Sequence, residues 1–528
     1  MLKAANRPGL CDTLARLILR SECGILGAVS RLSPGIARRL GALDSCQTRL
    51  RSRFAQVIEC WDDKSSDANK AALGNTPALD LLLVFGCDPL HAGELPARAT
   101  EVIQVHLGSG LSSSLHQAGF AEAFAEADET PLSLHLLGDA GATRPLISGS
   151  TRTRQLFLLN QSALWDRAAS VLLTRLLEPV GKVGAVGEST AEESAATGKQ
   201  QIRAVPDGGV SGGGIRQIGR MLLYPLRLSC RFVYLAIRQL RGKRRWSVAI
   251  HKREADLEAG TTLPIDSAPA GTYWADPFLY RCPSSGTRVC FVEEYDQALG
   301  RGHIAVLEQG PGGWRRRGTV LKEPHHLSFP FVFDYQGLLY MCPEGDASGT
   351  ITLYRCSDFP MQWVPCATLM RGVSAADTML FPRNGRWWML TNIDRALQPD
   401  HQSELHLFHA DSPLSEEWTP VPGNPVKLTS NGARNGGLLV DGERIFRFGQ
   451  RQGFHAYSQG LDLYEITGLD ETGYSEVLRR RVLPPAGSSA IGIHTWSSLD
   501  DVIGVDLLGA SFPSPSPSPS PPTSPQKA

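Results

Sequence analysis

Trp274–Tyr280 (WADPFLY), Phe329–Asp334 (FPFVFD), Asp377–Phe381 (DTMLF) and Asn435–Val440 (NGGLLV) are apolar strand signals that recur about every fifty residues. A polar or glycine turn follows each one. A second apolar strand then comes at Val289–Glu293 (VCFVE), Gly337–Met341 (GLLYM), Gly385–Leu390 (GRWWML) and Gly442–Phe448 (GERIFRF). From Phe278 the anchors step to Phe331, Met379 and Leu438, at intervals of 53, 48 and 59 residues. A strand–turn–strand unit cannot bury its own apolar faces, so repeats at this period predict a β-propeller with one unit per blade. Function on such a fold sits at the channel mouth, where the innermost strands begin. Asp276 and Asp377, each just before an apolar strand, are therefore the first candidates.

The repeat region runs from Trp246 to Gly509, which fits five blades of about 53 residues each. The early strand Trp246–Ile250 (WSVAI) has no place in the first blade. It is expected to close the ring by completing the last one, with Ile491–Trp496 and Asp501–Asp506. Beyond Ser511 the run PSPSPSPSPPTSP reads as a disordered tail over 511–528.

Upstream, residues 1–185 read as an α/β domain with a helical N-terminal segment, whose Arg-rich faces lie at Leu14–Arg20 and Ile36–Leu40. Strands are expected at Leu79–Gly86, Glu101–Leu107 and Pro131–Leu137, with helices at Ala118–Ala127 and Leu156–Leu177. That alternation predicts a largely parallel sheet. Residues 186–214 read as a flexible Ala/Ser/Thr/Gly linker. Residues 215–245 carry nine basic residues among leucines and aromatics. They predict a basic amphipathic connecting helix that breaks at Pro225 and offers a peripheral membrane contact.

Lys plus Arg and Asp plus Glu both number 53 in the 528 residues, so charge gives no case for a nucleic-acid partner. Eleven cysteines lie between Cys11 and Cys366 with no CxxC and no Cys/His cluster. They read as free thiols of a reducing compartment, and neither metal nor cofactor is expected. The N-terminus MLKAANRPGL lacks a signal-peptide pattern, and no window reaches the roughly 18 apolar residues of a spanning helix. The expected address is cytoplasmic, with membrane-peripheral contact left open.

Residues 79–150 resemble the N-terminal formyltransferase fold. That family's site implies an Asn and a His two residues apart at a strand end, plus a downstream Asp. Gln104-Val105-His106 and Ser133-Leu134-His135 both offer the spacing, and neither keeps the Asn. Asp139, in GDAGATRP, stands in the place of the Asp. The resemblance therefore implies a degenerate site.

Residues 246–509 resemble the propeller at the N-terminus of plant glucosamine inositolphosphorylceramide transferases. The matching strings are WADPF from Trp274, HLSFPFVF from His326, YMCPE from Tyr340, LYRCSDFP from Leu353, GRWW from Gly385, RNGG from Arg434 and GIHTW from Gly492. The plant enzymes carry their sugar-transfer chemistry in a separate C-terminal domain, which these strings do not include.

The same propeller is distantly similar to family 43 glycoside hydrolases. Inverting members require two carboxyl groups about 6.5–9.5 Å apart, one activating water and one protonating the leaving oxygen. The similarity implies Asp276 as the base and Asp377 as the modulator of the acid. Where the family has its acid Glu, blade four offers Ala433-Arg434-Asn435-Gly436. An Arg does not give up its proton at neutral pH but can clamp a carboxylate or phosphate. Glu344 is the best substitute acid. Glu293 and Glu294 are weaker, because alternation sends only one of them inward. Arg434, Asn435, His326 and His494 read as substrate-binding rim residues, and Trp274 as a platform for stacking on a sugar ring.

Four functions stay open at this point: a propeller that binds a glycan or glycoconjugate, a glycoside hydrolase, a one-carbon formyltransferase, and a protein-interaction scaffold. The missing blade-four acid tilts the reading towards binding, and enzymatic activity is left undecided.

Overall fold

The computed structural model describes residues 13–22, 79–85, 99–109, 117–137, 143–177, 213–240, 244–254, 259–396, 400–455, 457–485 and 488–509. The expected tail, nearly all of the expected linker and most of the N-terminal helical segment lie outside these residues.

The N-terminal sheet has four strands in sequence order: Leu79–Phe85, Ala99–Leu107, Glu129–Leu137 and Thr143–Arg152. Only the first pair is parallel; the next two pairs are antiparallel. The expectation of a largely parallel sheet is thus corrected. A parallel crossover needs a dozen or more residues to return along the strand, and the last two strands are joined far more tightly than that. The helix Phe157–Leu177 covers the sheet, packing Leu164, Ala168, Val171 and Leu172 on Ile103, Val105, Leu134 and Ile147. Buried Glu22 caps that helix. It accepts from the Leu158 N–H at 2.6 Å, the Phe157 N–H at 3.2 Å and the Tyr224 hydroxyl at 2.5 Å. Tyr224 belongs to the helix Gly213–Leu240, which runs straight through Pro225 where the sequence predicts a break. Pro225 is exposed, so its ring projects into solvent, and the helix continues past it with one backbone bond fewer.

Five antiparallel sheets follow, consistent with five propeller blades. Blade one runs from Thr272–Arg281 to Gly313–Leu321, blade two from Ser328–Tyr335 to Gln362–Arg371, blade three from Ala375–Arg383 to Lys427–Leu428, and blade four from Asn431–Asp441 to Gly473–Val482. Blade five combines Trp496–Leu499 and Val502–Leu508 with Trp246–Arg253 and Ala259–Thr262. The expected closing strand at Trp246 is in that sheet. Of the segment 491–496 only Trp496 is strand; Gly492 makes a single bridge to Leu508. The innermost strands touch in cyclic order, blade one to two, three, four, five and back to one.

Side-chain chemistry explains the hairpins. Tyr335 pairs with Leu338 and Arg383 with Arg386, which leaves Gln336-Gly337 and Asn384-Gly385 as two-residue loops with positive φ at every position. Such loops match the twist of paired strands and favour Gly and Asn.

The two units dock through polar contacts. Arg167, buried, reaches Asp394 at 2.7 Å and Asp400 at 3.2 Å and also contacts Glu404. Glu129 accepts from Thr429 Oγ1 at 2.6 Å, Ser430 Oγ at 3.0 Å and the Asn431 N–H at 3.0 Å. Gly149 is required here: a Cβ on it would lie 2.0 Å from the Leu428 carbonyl oxygen.

Candidate functional site

The first strand of each of blades one to three breaks its pairing with the second strand at the same place: between Ala275 and Phe278, Ser328 and Phe331, and Ala376 and Met379. Within these bulges Asp276, Phe329 and Asp377 have φ of 50°, 44° and 47°. A non-glycine residue held there costs about 1–3 kcal/mol, so the surrounding contacts must enforce it. Blade four has the equivalent break around Asn435–Gly437, where glycine relieves the strain. The bulges hold the two aspartates inside the first strands, Asp276 within Thr272–Arg281 and Asp377 within Ala375–Arg383, where the sequence reading sets them just before an apolar strand.

Two ionic units result. In the first, Arg434 Nε lies 2.6 Å from Asp377 Oδ2, while Nη2 lies 3.3 Å from Asp377 Oδ1 and 3.2 Å from Glu344 Oε2. Gln450 Nε2 donates to Asp377 Oδ2 at 3.0 Å, and the Tyr457 hydroxyl donates to Gln450 Oε1 at 3.4 Å. In the second, His494 lies between two aspartates, with Nδ1 2.6 Å from Asp506 Oδ2 and Nε2 3.4 Å from Asp276 Oδ1. Asp506 Oδ2 accepts from the Asp276 N–H at 2.9 Å. Asp276 in turn accepts from the Thr495 hydroxyl at 2.5 Å and the Phe329 N–H at 3.1 Å. Asp276 thereby ties blades five, one and two together.

Burial governs the charges. Asp276, Glu293, Asp377 and Asp506 are buried and Glu344 nearly so, against the cations Arg434 and His494. Desolvation, with repulsion from Asp377, pushes Glu344 well above the usual carboxylate range, and Arg434 acts against that rise. Burial also pushes Asp377 upward, but Arg434 and the bond from Glu344 outweigh it and hold Asp377 below its ordinary value. Desolvation raises Asp276 and raises Glu293 strongly. Burial opposes charge on His494, yet Asp506 and Asp276 prevail and lift it to about 9. This is an acid–carboxylate pair beside an imidazolium, the kind of divergent titration that functional sites use.

Asp276, His494 and Asp506 place one donor atom each within 4.8 Å of one another, close enough to share a cation. The sequence reading sees no third ligand beside His326 and His494; the structure leaves His326 out of the group and sets Asp276 and Asp506 around His494 instead. The aspartate oxygens already accept the backbone and hydroxyl bonds described, so an ion-paired triad accounts for the arrangement.

Several expected roles change. Trp274 is 3 % exposed, and its indole N–H donates at 2.8 Å to Oε2 of Glu294, its cross-strand partner within blade one. It cannot stack on a sugar in the channel. Asn435 is fully buried, and its amide donates to the Asp377 and Leu390 carbonyls, so it joins blades three and four rather than facing a ligand. His494 is buried in the ionic triad, not a donor on the rim. His326 is half-buried, accepts from the Gly302 N–H at 2.7 Å and sits 3.6 Å from Glu293. Glu293 shares the field of the channel aspartates, whereas Glu294 turns away to Trp274, His303 and Arg316, as strand alternation requires.

In the N-terminal sheet the two alternative sites are neighbours: Gln104 pairs with His135 and His106 with Ser133. The imidazoles meet edge to face at 5.2 Å, and His135 Nε2 bonds Ser133 Oγ at 2.9 Å. Burial holds both imidazoles below their ordinary range. Asp139 lies outside the described residues.

Trp246, Tyr457, Gln450, Thr495 and Asp506 were not singled out from the sequence. The Trp246 indole stacks on His494 with ring centroids 4.0 Å apart, and Tyr457 meets the same imidazole at 5.8 Å. Asp506 had a readable signal: a lone carboxylate between Val505 and Leu507 in an apolar strand must be paired.

Residues 261–499 match the family model described as glucosamine inositolphosphorylceramide transferase 1, N-terminal. Proteins named glucosamine inositolphosphorylceramide transferase 1 are similar in sequence. The one from Oryza sativa subsp. japonica is 33 % identical over 220 residues, covering 40 % of this chain and 29 % of that protein. The one from Arabidopsis thaliana is 32 % identical over 218 residues, covering 40 % and 28 %. The chain thus spans under a third of the length of these relatives. Among solved structures, an exo-β-1,3-galactanase from Clostridium thermocellum aligns at 14 % identity and TM-score 0.33, over 41 % of this chain and 54 % of that one. A family 117 glycoside hydrolase from Zobellia galactanivorans aligns at 10 % identity and TM-score 0.34, over 51 % and 91 %. Over 261–499 the chain is therefore similar to the N-terminal region of these transferases.

Proposed function

We propose that the propeller binds the glycan part of a glycoconjugate at the channel mouth and that binding, rather than bond cleavage, is its task. The observation that carries this reading is the two-carboxylate contact of Arg434. A hydrolase of the inverting kind needs a free base and a mobile acid. Here Arg434 neutralises Asp377 and touches Glu344, and both oxygens of Asp276 hold neighbouring blades. What remains is a fixed array of donors and acceptors beside the aromatic faces of Trp246 and Tyr457, which suits sugar hydroxyls and a ring face. The names of the sequence relatives support a glycolipid headgroup as the ligand class.

A hydrolytic reading has one favourable feature, the opposite shifts of two neighbouring carboxyls, Glu344 raised and Asp377 lowered. The N-terminal sheet takes no catalytic part in either reading.

The test is calorimetry of the full chain against soluble glucosamine, galactosides and inositol-phosphate-linked sugars, with Glu344→Gln and Trp246→Ala beside wild type. Saturable binding that Trp246→Ala weakens, with no product formed, is the expected result. Product release that Glu344→Gln abolishes would replace binding by hydrolysis. No heat with any sugar would overturn the glycan reading.

A further inference from the structure

We infer that the helix Gly213–Leu240 seats the protein on an anionic membrane surface beside the channel mouth. The helix has two opposed apolar faces. Met221, Tyr224 and Leu228 recur at three- and four-residue steps and are buried against Phe120 and Phe157, and Arg231 continues the row, buried and paired with Glu126 at 3.0 Å. Leu222, Leu226, Val233 and Ile237 lie about half a turn away and are exposed, Leu222 and Leu226 at 64 % and Val233 at 59 %. Leu223, Phe232 and Tyr234 widen this outer face. A second apolar stripe left in water on a helix that is already docked requires a partner.

Charge selects the partner. The 28 residues contain no Asp or Glu, and Arg216, Arg220, Arg227, Arg231 and Arg238 all belong to them. Arg241, Lys243, Arg244 and Arg245 follow at once. Arg216, Arg244 and Arg245 are exposed. A folded protein partner would have to supply a wholly acidic rim, whereas an anionic lipid surface offers negative headgroups over an apolar interior, the pattern an in-plane helix matches. Among the described residues no helix is long and apolar enough to cross a membrane, so this one lies along the surface.

Position gives the contact a use. Only five residues separate Leu240 from Trp246, at most about 21 Å of chain, and Trp246 stacks on His494 in the channel. Tyr234 of the helix meets His455, which precedes channel residue Tyr457. A glycolipid headgroup would thus be presented close to the site; this last step rests on the glycan reading, and the membrane contact does not.

The experiment is co-sedimentation of the full chain with vesicles of phosphatidylcholine alone or with about 30 % phosphatidylserine, for wild type and Leu226→Glu/Val233→Glu. Both substituted side chains are exposed, so an unchanged melting curve is the folding control. Wild type is expected on the anionic vesicles, with binding reduced roughly tenfold or more in the variant and similarly by high salt. Wild type left in the supernatant, or a variant that binds equally, overturns the inference. A wild-type dimer that the variant dissolves, without vesicle binding, assigns the face to a second copy and also overturns it. Soluble-sugar calorimetry on the same variant separates the two ideas: intact sugar binding with lost vesicle binding is expected, and loss of sugar binding in wild type would remove the glycan reading alone.

Discussion

Arg434 and Asp377 form a two-pronged ion pair, Nε to Oδ2 at 2.6 Å and Nη2 to Oδ1 at 3.3 Å, across the junction of blades four and three. A guanidinium keeps its proton, so the pair is a clamp and not a proton-transfer pair. The clamp also makes the buried aspartate affordable, since a lone carboxylate in that surrounding would stay protonated.

Arg434→Met is accordingly expected to destabilise the propeller by about 3–5 kcal/mol, the cost of stranding one member of a buried pair. Arg434→Lys restores only part, since an ammonium is a point charge and cannot hold both oxygens. Adding Asp377→Asn to Arg434→Met should recover much of the loss. Denaturant unfolding of wild type, Arg434→Met, Asp377→Asn and the double variant closes the cycle; additive losses would show that the two residues do not interact.

Glu344 gives the opposite expectation. Burial and Asp377 push its carboxyl well above the usual range, favouring the protonated form, which Glu344→Gln copies by keeping a donor and an acceptor. Stability should fall by less than about 1 kcal/mol. A loss as large as that of Arg434→Met would mean that Glu344 is ionised and that Arg434 serves it as much as Asp377.

The blade repeat was legible because its signal is apolar and periodic: Phe278, Phe331, Met379 and Leu438 mark each blade without reference to its neighbours. Asp276 and Asp377 were legible for the same reason, through their place before an inner strand. Trp274 was misread because strand parity alone does not say which face meets the channel after a bulge. The bulge at Asp276 puts the two sides of the strand out of register, and the indole goes to Glu294. Asp506 and Tyr457 come to His494 from distant parts of the chain, and no local pattern joins them. The sheet order of the N-terminal unit was lost to the same cause, since strand–helix alternation does not encode direction.

Arg167 carries a prediction about how the two units hold together. Its guanidinium is the buried counter-ion of Asp394, Asp400 and Glu404, and burial is outweighed so that Asp394 stays well below the usual carboxylate range. Arg167→Met takes the guanidinium from buried Asp394, while Asp400 keeps Arg154 at 2.6 Å and Glu404 keeps His406 at 3.1 Å, and should cost on the order of 3–5 kcal/mol. Limited proteolysis should then cut between the N-terminal sheet and the propeller while the propeller itself stays resistant. A variant as resistant as wild type would show that Glu129, with Asp128 accepting from the Phe454 N–H at 2.8 Å and Gln459 Nε2 at 3.2 Å, suffices for docking.

His494 sets the pH dependence. Its folded-state value of about 9 lies above the ordinary 6.5, so folding takes up a proton, and the stabilisation is complete below about 6.5. As pH rises from there through 9 the native imidazolium loses its proton and the benefit is lost, on the order of 3 kcal/mol in all. Asp276, Glu293 and Glu344 are raised as well and act in the same direction, their contribution fading upward from the ordinary carboxylate range. Asp377 and Asp394 are lowered and act oppositely, but only where acid protonates them. Melting temperature should therefore decline between pH 6.5 and 9, and His494→Gln should be less stable at pH 6 yet show a flatter decline over that window. A variant whose curve runs parallel to wild type would locate the titration elsewhere and leave His494 neutral between its two aspartates.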